Sequence, residues 1–500
     1  MLILAICVAA VGLFLRAWYE VSSGVLAGDA FIFQTVGRGI VNGLKPYADL
    51  FETKPPGIFL LFALSLKFFG DQTLVKLLQA AVLLGIPVLV FLPSLHIVAQ
   101  RPARQRQWLS LLSLLFGLLL ALYTANQAGQ GLPESFGAFF AIAFLAAFIF
   151  GYRFPISDFR SPLIHSLLLG VLLLCSLGFK EPFFLSILAG VVLLSDDDQS
   201  FIRQLVSSFL IPAAIALALG LFALAVLGYL GPFFSVYLPH MLGYHIQQYP
   251  GSTMIHALEI WRTFRNMGAY SWWFAVAVTL VWVGVFVRFV VLSSWFLVLR
   301  WVVASYLMFL AIGIGGDFYG HHFIFAVPVY AALWWAMLRH LPERIPKFAT
   351  AALAILLTLT AFFSTQFSYA KSAAQWKEKE EGMQTAALAI DTLMQQCEWN
   401  RYLQMIPRGV GPYAYTKASP YGPIFTQYER FIGASKSYQT QYLRALKEAP
   451  FMLLIDIKKS NLSVFAKQYV GVHYVPDPPA CAGENFSLPE PYNLLFRQEK

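Results

Sequence analysis

The stretch Gly28–Gly57 reads GDAFIFQTVGRGIVNGLKPYADLFETKPPG and follows the first apolar segment of the chain. It carries several ionisable groups and ends at the rigid pair Pro55–Pro56. Membrane proteins rarely keep so many ionisable groups beside the bilayer unless those groups have a function. Carboxylates and lysines in a wet pocket at the membrane surface suit chemistry on a phosphate-bearing lipid. This stretch is therefore the strongest indication of function in the sequence.

The composition is that of a polytopic membrane protein. Of 500 residues, 58% are apolar and 12% are charged, whereas soluble domains carry about 25% charged residues. The mean hydropathy is +0.64. The net charge of +9 is interpreted as positive-inside anchoring. Nucleic acid is excluded as a partner, because the basic residues are scattered over short loops and form no continuous patch.

Apolar runs of membrane-spanning type recur along the first three quarters of the chain. We predict eleven transmembrane helices, some of which are short for a bilayer and need flanking residues. They are Leu2–Trp18, Thr73–Val98, Trp108–Tyr123, Ser135–Tyr152, Pro162–Phe179, Pro182–Leu194, Phe201–Leu227, Ser271–Val287, Trp295–Ile314, Phe323–Leu338 and Phe348–Phe363.

The apolar run Ile58–Phe69 is predicted to be an interfacial helix that does not cross. It would cover about 18 Å, against roughly 30 Å of hydrocarbon. If it does not cross, the basic loop Arg101–Arg106 and the later arginine-bearing loops lie in the cytoplasm, as the positive-inside rule requires. The same topology places Tyr19–Gln72, the turn at Lys180 and the C-terminus outside.

From Gln366 onward the chain turns polar. We predict two domains: a transmembrane catalytic domain over residues 1–365 and a small extracytoplasmic α/β domain over residues 366–500. Met383–Gln396 is helix-like, Phe451–Ile457 reads as a buried strand and Gly471–Val475 as a weaker one. Outside the cytoplasm Cys397 and Cys481 could form a disulfide; two free thiols are the alternative.

The first outside loop supplies candidate catalytic groups. Asp29 could act as a general base for an acceptor hydroxyl or amine; an ordinary loop acid is the alternative. Lys54 precedes two prolines that stiffen the backbone, which suits holding an ammonium group against phosphate; a snorkelling lysine is the alternative. Asp49 and Glu52 complete the charged set.

Two further outside turns carry charge. Lys180 and Glu181 separate two apolar spans with almost no loop, so they need each other or an anionic ligand as partner. Asp317, His321 and His322 lie together in GGDFYGHHF and could bind a divalent metal ion. Their spacing is not diagnostic, and hydrogen-bonded interfacial histidines are the alternative.

The order of these motifs resembles that of the GT-C membrane glycosyltransferases that use lipid-phosphate-linked sugars, close to the protein O-mannosyltransferases and the lipid A aminoarabinose transferase. The motifs that carry the resemblance are an acid after the first helix, the Tyr-x-Asp-x-Phe-Glu-x-Lys-Pro-Pro element Tyr47–Pro56, the Leu-Gly-Phe-Lys-Glu-Pro turn Leu177–Pro182, and His321–Phe323 before Pro328. The resemblance covers the whole chain.

The resemblance implies roles for several residues. Asp29 would be the catalytic carboxylate, while Lys54, Lys180 and His322 would contact the donor phosphate. Glu52 and His321 would be metal ligands if a divalent ion takes part, and Asp49, Glu181 and Asp317 would lie in the same pocket. Two departures stand out, since many relatives have a second acid after the one at Asp29, and Thr53 separates Glu52 from Lys54.

The predicted function is transfer of a sugar from a polyprenyl-phosphate carrier to a lipid, glycan or protein acceptor, outside the bacterial inner membrane, by direct displacement with an aspartate base. One alternative is a polysaccharide polymerase or ligase that uses diphosphate-linked glycans. Arg262 and Arg265, in a predicted outside loop, favour this alternative. The other is a non-enzymatic lipid or polysaccharide transporter, which predicts internal repeats and polar groups at mid-membrane depth.

Overall fold

The protein is described from a computed structural model. The described residues are 2–22, 28–128, 131–153, 162–195, 198–244, 295–314, 320–340, 369–405, 411–423, 425, 436–454, 464–482, 486–490 and 492–498. They form two compact units, each built from segments that are distant in sequence. Unit 1 contains residues 1–22, 76–223 and 251–367, and unit 2 contains residues 23–75, 224–250 and 368–500.

Unit 1 is a bundle of apolar helices. They are α1 (Leu2–Ser22), α4 (Thr73–Val98), α5 (Ala103–Ala128), α6 (Pro133–Arg153), α7 (Pro162–Phe179), α8 (Phe183–Leu194), α9 (Asp198–Leu205), α10 (Ile211–Val226), α11 (Trp295–Gly313) and α12 (Val327–His340). A π-helical turn, Val206–Leu210, joins α9 to α10, and a 3-10 turn, Gly320–Ala326, leads into α12. The unit boundaries fall inside α4 and α10.

Six helical segments of the described residues are long and apolar enough to cross a membrane. They are Leu2–Ser22, Thr73–Val98, Ala103–Ala128, Pro133–Gly151, Phe201–Val226 and His321–Arg339. Four shorter apolar helices accompany them: Pro56–Phe69, Leu163–Phe179, Phe183–Leu194 and Val298–Gly313. The predicted spans at 271–287 and 348–363 lie outside the described residues, so the count of eleven stays a prediction.

Polar side chains inside unit 1 donate hydrogen bonds to carbonyls at helix ends and to side chains of neighbouring helices. Arg300 donates through Nε (2.9 Å) and Nη2 (2.8 Å) to the carbonyl of Val192, and Arg339 Nη1 donates to the carbonyl of Leu194 at 2.5 Å. These are carbonyls at the end of α8 that lack an intrahelical partner. Trp334 Nε1 donates to Ser113 Oγ at 3.0 Å, which ties α12 to α5. Such bonds are needed because an unpaired polar group in an apolar interior is costly.

Unit 2 combines the first loop with the polar C-terminal region. Its helices are α2 (Gly28–Val41), α3 (Pro56–Phe69), α13 (Tyr369–Gln396), α14 (Lys436–Glu448) and α15 (Val464–His473). Short helical turns occupy Leu230–Pro232, Phe233–Tyr237, His240–Tyr244, Gly411–Ala414 and Ala480–Ala482. The run predicted to be an interfacial helix is α3, whose 14 residues extend about 21 Å, again shorter than the hydrocarbon core.

A five-stranded sheet forms the core of unit 2. The strands are β1 (Arg401–Met405), β2 (Ser419–Pro420), β3 (Phe451–Leu454), β4 (Tyr474–Val475) and β5 (Asn493–Arg497), in the order β2-β1-β3-β5-β4. β1 pairs in parallel with β2 and β3, and β5 pairs antiparallel with β3 and β4. The buried cluster on this sheet contains Leu403, Met452, Leu446, Val470 and also Phe51 from the first loop.

Individual elements predicted in the C-terminal region have counterparts in the structure, whereas a separate C-terminal domain stays a prediction. The helix predicted at Met383–Gln396 is the second half of α13, and the predicted strand at Phe451 is β3. At Gly471–Val475 the prediction was partly wrong, because residues 471–473 end α15 and the strand begins at Tyr474. Cys397 and Cys481 form a disulfide. The predicted domain boundary at 365/366 lies outside the described residues and stays a prediction.

Candidate functional site

The charged segment Lys45–Lys54 is a compact, internally bonded turn. Asp49 Oδ2 accepts a hydrogen bond from the backbone N–H of Lys45 at 2.8 Å. Tyr47 is buried at a φ of 69°, a conformation that non-glycine residues seldom adopt, and its hydroxyl donates to the carbonyl of Lys54 at 2.8 Å. Phe51 N–H donates to the carbonyl of Pro423 at 2.8 Å. The backbone that carries Lys54 is therefore held from within unit 2.

Glu52 is a buried carboxylate beside Lys54. Its residue is 4% exposed, its Oε1 accepts from Thr53 Oγ1 at 3.0 Å, and Lys54 Nζ lies 3.9 Å from the same oxygen. Oε2 has no hydrogen-bond partner among the described residues. A buried carboxylate with a spare oxygen can take up a proton, a cation or a donor group.

His240 packs next to this turn. Its ring lies 4.8 Å from the ring of Phe51 in an edge-to-face arrangement, and the residue is 1% exposed. Burial lowers the pKa of His240 to about 4, because a desolvated imidazolium is unfavourable. At neutral pH the side chain is therefore an uncharged imidazole, the form that accepts protons and binds metals.

Asp29 lies in the first turn of α2 and is exposed. Behind it, the helix buries Phe31, Phe33 and Val36. A carboxylate at a helix N-terminus is favoured by the helix dipole. The result is a solvent-accessible carboxylate on a helix that packing holds in place, which is what a general base requires.

The C-terminal region holds α2 through the turn Gly411–Ala414. The carbonyl of Ala414 accepts from Gln34 Nε2 at 2.8 Å and from Arg38 Nε and Nη2 at 3.3 and 3.2 Å. Burial lowers the pKa of Arg38, while Asp391 opposes that shift. The adjacent Tyr415 hydroxyl donates to Glu380 Oε1 of α13 at 2.5 Å. Arg38 thus fixes the helix that carries Asp29.

In unit 1, Lys180 pairs with a carboxylate that the sequence analysis did not single out. Lys180 follows α7, and its Nζ lies 3.2 Å from Oε1 of Glu134, with side chains 12% and 1% exposed. Glu134 stands in the first turn of α6, directly after Pro133. The available signal was an acid at the start of an apolar run, and such acids are expensive in membrane segments; nothing in the spacing named its partner.

His321 and His322 lie beside the same carboxylate. They begin the 3-10 turn before α12, and their rings are 4.5 Å apart and nearly perpendicular. One ligand atom from each histidine and one carboxylate oxygen of Glu134 all lie within 4.8 Å of one another. Unit 1 therefore brings three predicted site residues, Lys180, His321 and His322, together around the carboxylate of Glu134. This carboxylate and the two histidines form a group that could hold a metal ion.

Comparison with solved structures gives matches over the entire chain. ArnT from Cupriavidus metallidurans bound to undecaprenyl phosphate has a TM-score of 0.51 and 11% identity, over 99% of this chain and 97% of ArnT. The apo state of the same ArnT gives a TM-score of 0.54 and 12% identity over the same shares. The chain has the GT-C fold. It is a polytopic α-helical membrane protein, as predicted. No protein-family model and no curated protein sequence matches it.

The GT-C fold distributes the predicted site residues over both units. Unit 2 carries Asp29, Asp49, Glu52 and Lys54, and unit 1 carries Lys180, His321 and His322. Glu181 is half-buried at the turn after α7, where its carbonyl accepts the N–H of Phe184. Asp317 lies outside the described residues. The roles of these residues stay predictions.

Proposed function

We propose that this protein is an inner-membrane glycosyltransferase that moves a sugar from a polyprenyl-phosphate carrier to a lipid, glycan or protein acceptor outside the cytoplasm. The observation that carries the proposal is the full-length match to ArnT, whose solved structures include a complex with undecaprenyl phosphate. The charged residues of the first loop, at the positions that the resemblance names, support the same reaction class.

Asp29 is the general base in this proposal. It removes the proton from the acceptor hydroxyl or amine as that group attacks the anomeric carbon. The bond from the anomeric carbon to the phosphate oxygen breaks, and the polyprenyl phosphate leaves with the bonding electrons. Single displacement inverts the anomeric centre. The exposed position of Asp29 on a well-packed helix supports this role, because a base must reach its proton without reorganisation.

Lys54 and Lys180 bind the donor phosphate. A positive charge near the departing phosphate stabilises the anion that develops in the transition state. The hydrogen bond that the Tyr47 hydroxyl donates to the carbonyl of Lys54 fixes the backbone from which that ammonium group extends. The ion pair with Glu134 orients Lys180 and partly neutralises its charge.

A divalent metal is a candidate component rather than a requirement of this reaction. The described residues provide two sets of suitable donors, the spare oxygen of Glu52 and the group formed by Glu134, His321 and His322. A bound dication would add positive charge for the departing phosphate.

The proposal is tested with a deletion strain and matched variants. Mass spectrometry of lipid A, surface glycan and exported proteins should show one product mass that disappears on deletion and returns with the wild-type gene. Asp29→Asn should not restore it, and the purified variant should turn over about 100-fold or more slowly. Asp477→Asn, an exposed acid in the C-terminal region, is the matched control and should restore it.

Two results would contradict the proposal. An unchanged product spectrum after deletion, with unchanged polyprenyl-phosphate sugar pools, would remove the reaction. Near-normal turnover by a well-folded Asp29→Asn protein would remove the base. Accumulation of diphosphate-linked glycans instead of monophosphate-linked sugars would favour the polymerase or ligase alternative.

A further inference from the structure

A carboxylate and two imidazoles meet in the interior of unit 1. Glu134 is 1% and His322 is 8% exposed, and His321 is half-buried. One ligand atom from each lies within 4.8 Å of the other two. Groups of this kind are seldom enclosed together in an apolar helix bundle unless they bind each other or a cation.

The helices around this group are packed tightly enough to fix its shape. Ser176 Oγ donates to the carbonyl of Gly137 at 2.9 Å, which ties the end of α7 to the start of α6. A Cβ atom on Gly137 would lie 2.3 Å from the ring of Phe183, so α6 and α8 touch there. Phe183 in turn packs at 4.9 Å on Phe325 of the 3-10 turn. The segments that carry all three groups are thus held by direct contacts.

We propose that Glu134, His321 and His322 bind a zinc-like transition-metal dication. Two imidazoles and one carboxylate are a ligand set of catalytic zinc sites, which keep a further position open for water or substrate. Bonds of about 2.0–2.2 Å place tetrahedral ligands roughly 3.4 Å apart. The present spread of at most 4.8 Å therefore closes with side-chain shifts of about 1 Å, well within the reach of rotamer adjustment.

The ammonium group of Lys180 competes with a metal ion for the carboxylate of Glu134. This group lies 3.2 Å from Oε1 of Glu134, so the carboxylate can serve either the lysine or the metal ion. A dication at Glu134 would repel the ammonium group and weaken the ion pair. Removal of the lysine charge should therefore strengthen metal binding, whereas a purely structural cluster would gain no affinity for metal from that change.

The experiment uses the full chain, purified in nanodiscs with a histidine-free tag and stripped with a chelator. Zinc is added, unbound metal is removed by gel filtration, and the bound metal is counted by mass spectrometry. Wild type should retain one equivalent more than Glu134→Gln, His321→Ala or His322→Ala. Each variant should bind that equivalent at least about 100-fold more weakly, since even outer-shell changes weaken metal sites 10- to 100-fold. His96→Ala and His473→Ala are matched controls and should retain it.

Two further measurements do not depend on the folding of those variants. Wild type loaded with Co²⁺ should show the visible absorption of a four- or five-coordinate ion. Lys180→Met should bind zinc more tightly than wild type. Equal zinc retention by all variants, absent Co²⁺ bands in wild type, or zinc binding by Lys180→Met that is no tighter than in wild type would each overturn the site.

This proposal deepens the proposed function, because it assigns a zinc-like ion to one of the donor sets named there, and its test is independent of the reaction. Zinc content and the Co²⁺ spectrum are measured without substrate. If the deletion strain shows no lost product while wild type binds the extra zinc, the reaction fails and the metal site stands. If Asp29→Asn loses activity while zinc retention is equal in every variant, the metal site fails and the reaction stands.

Discussion

Loss of the disulfide between Cys397 and Cys481 should unfold the C-terminal part of unit 2 at a much lower temperature. The bond joins residues 84 positions apart and closes a loop that contains β1 to β4. Strand β5 lies outside that loop yet pairs between β3 and β4. For a loop of this length, restriction of the unfolded chain stabilises the fold by about 4.6 kcal/mol, which corresponds to roughly 15 °C for a region of this size.

The cysteine content makes a clean assay possible. The other two cysteines, Cys7 and Cys175, are free thiols in α1 and α7, and serine can replace both. In that background, Cys397→Ser, Cys481→Ser and the double variant are compared. Heating followed by proteolysis, with a blot for a C-terminal tag, measures unfolding of this region. A maleimide-polymer gel shift in denaturant, with and without reductant, counts the thiols.

The expected pattern is equal effects that do not add. The unfolding temperature of both single variants should fall by about the same amount. That of the double variant should fall no further, since the same bond is lost in each case. Two thiols should appear in the serine background only after reduction. A double variant that loses twice as much as either single variant, or two reactive thiols without reductant, would refute the reasoning.

Three further predictions follow from other residues. Alkaline phosphatase fused at about Asn400 should be active and a fusion near Arg104 should be silent, because the loop charges place these positions outside and inside; the reverse pattern would overturn the location of the proposed reaction. Lys54→Met and Lys180→Met should each weaken binding of a polyprenyl-phosphate probe, and the double variant should be non-additive if both act on one phosphate; simple additivity in the binding isotherms would separate their roles. The pKa of His240 is about 4 when folded and about 6.5 when unfolded, so unfolding takes up a proton between these pH values. The contribution of His240 to the free energy of unfolding should therefore be complete above pH 6.5 and fall by up to about 3 kcal/mol as the pH drops to 4. His240→Gln should lose this part of the pH dependence in thermal melts.

The apolar helices were predictable because their signal is local. The predicted span Thr73–Val98 has the same bounds as α4, and Pro162–Phe179 the same as α7. Errors arose where a helix continues into polar sequence. The span predicted to begin at Trp108 begins at Ala103, because the charged turn is itself helical, with the backbone N–H of Arg106 donating to the carbonyl of Pro102 at 2.9 Å.

The residues of the candidate site were predictable from the sequence, but the side chains that they contact were not. Asp29, Lys54 and Lys180 were named from charge beside apolar runs, and the motif order predicted the GT-C fold that the comparison confirmed. Glu134 was missed, since its link to Lys180 and the two histidines depends on which helices pack together. The partner of Arg38 was missed for the same reason, because it is the carbonyl of Ala414, far along the chain. Pairings of this kind depend on packing between segments distant in sequence, which periodicity does not encode.

Unit 2 is built from segments that are distant in sequence, so they are synthesised at different times. Its first segment ends at residue 75 and its last begins at residue 368, so Phe51 leaves the ribosome long before the sheet that buries it. At roughly 5–20 residues per second, the loop that carries Glu52 and Lys54 waits about 15–60 s for its support. A chain interrupted before residue 368 would therefore carry the loop without its core. Assembly of that loop therefore follows synthesis of the later segment, although the loop itself is made earlier.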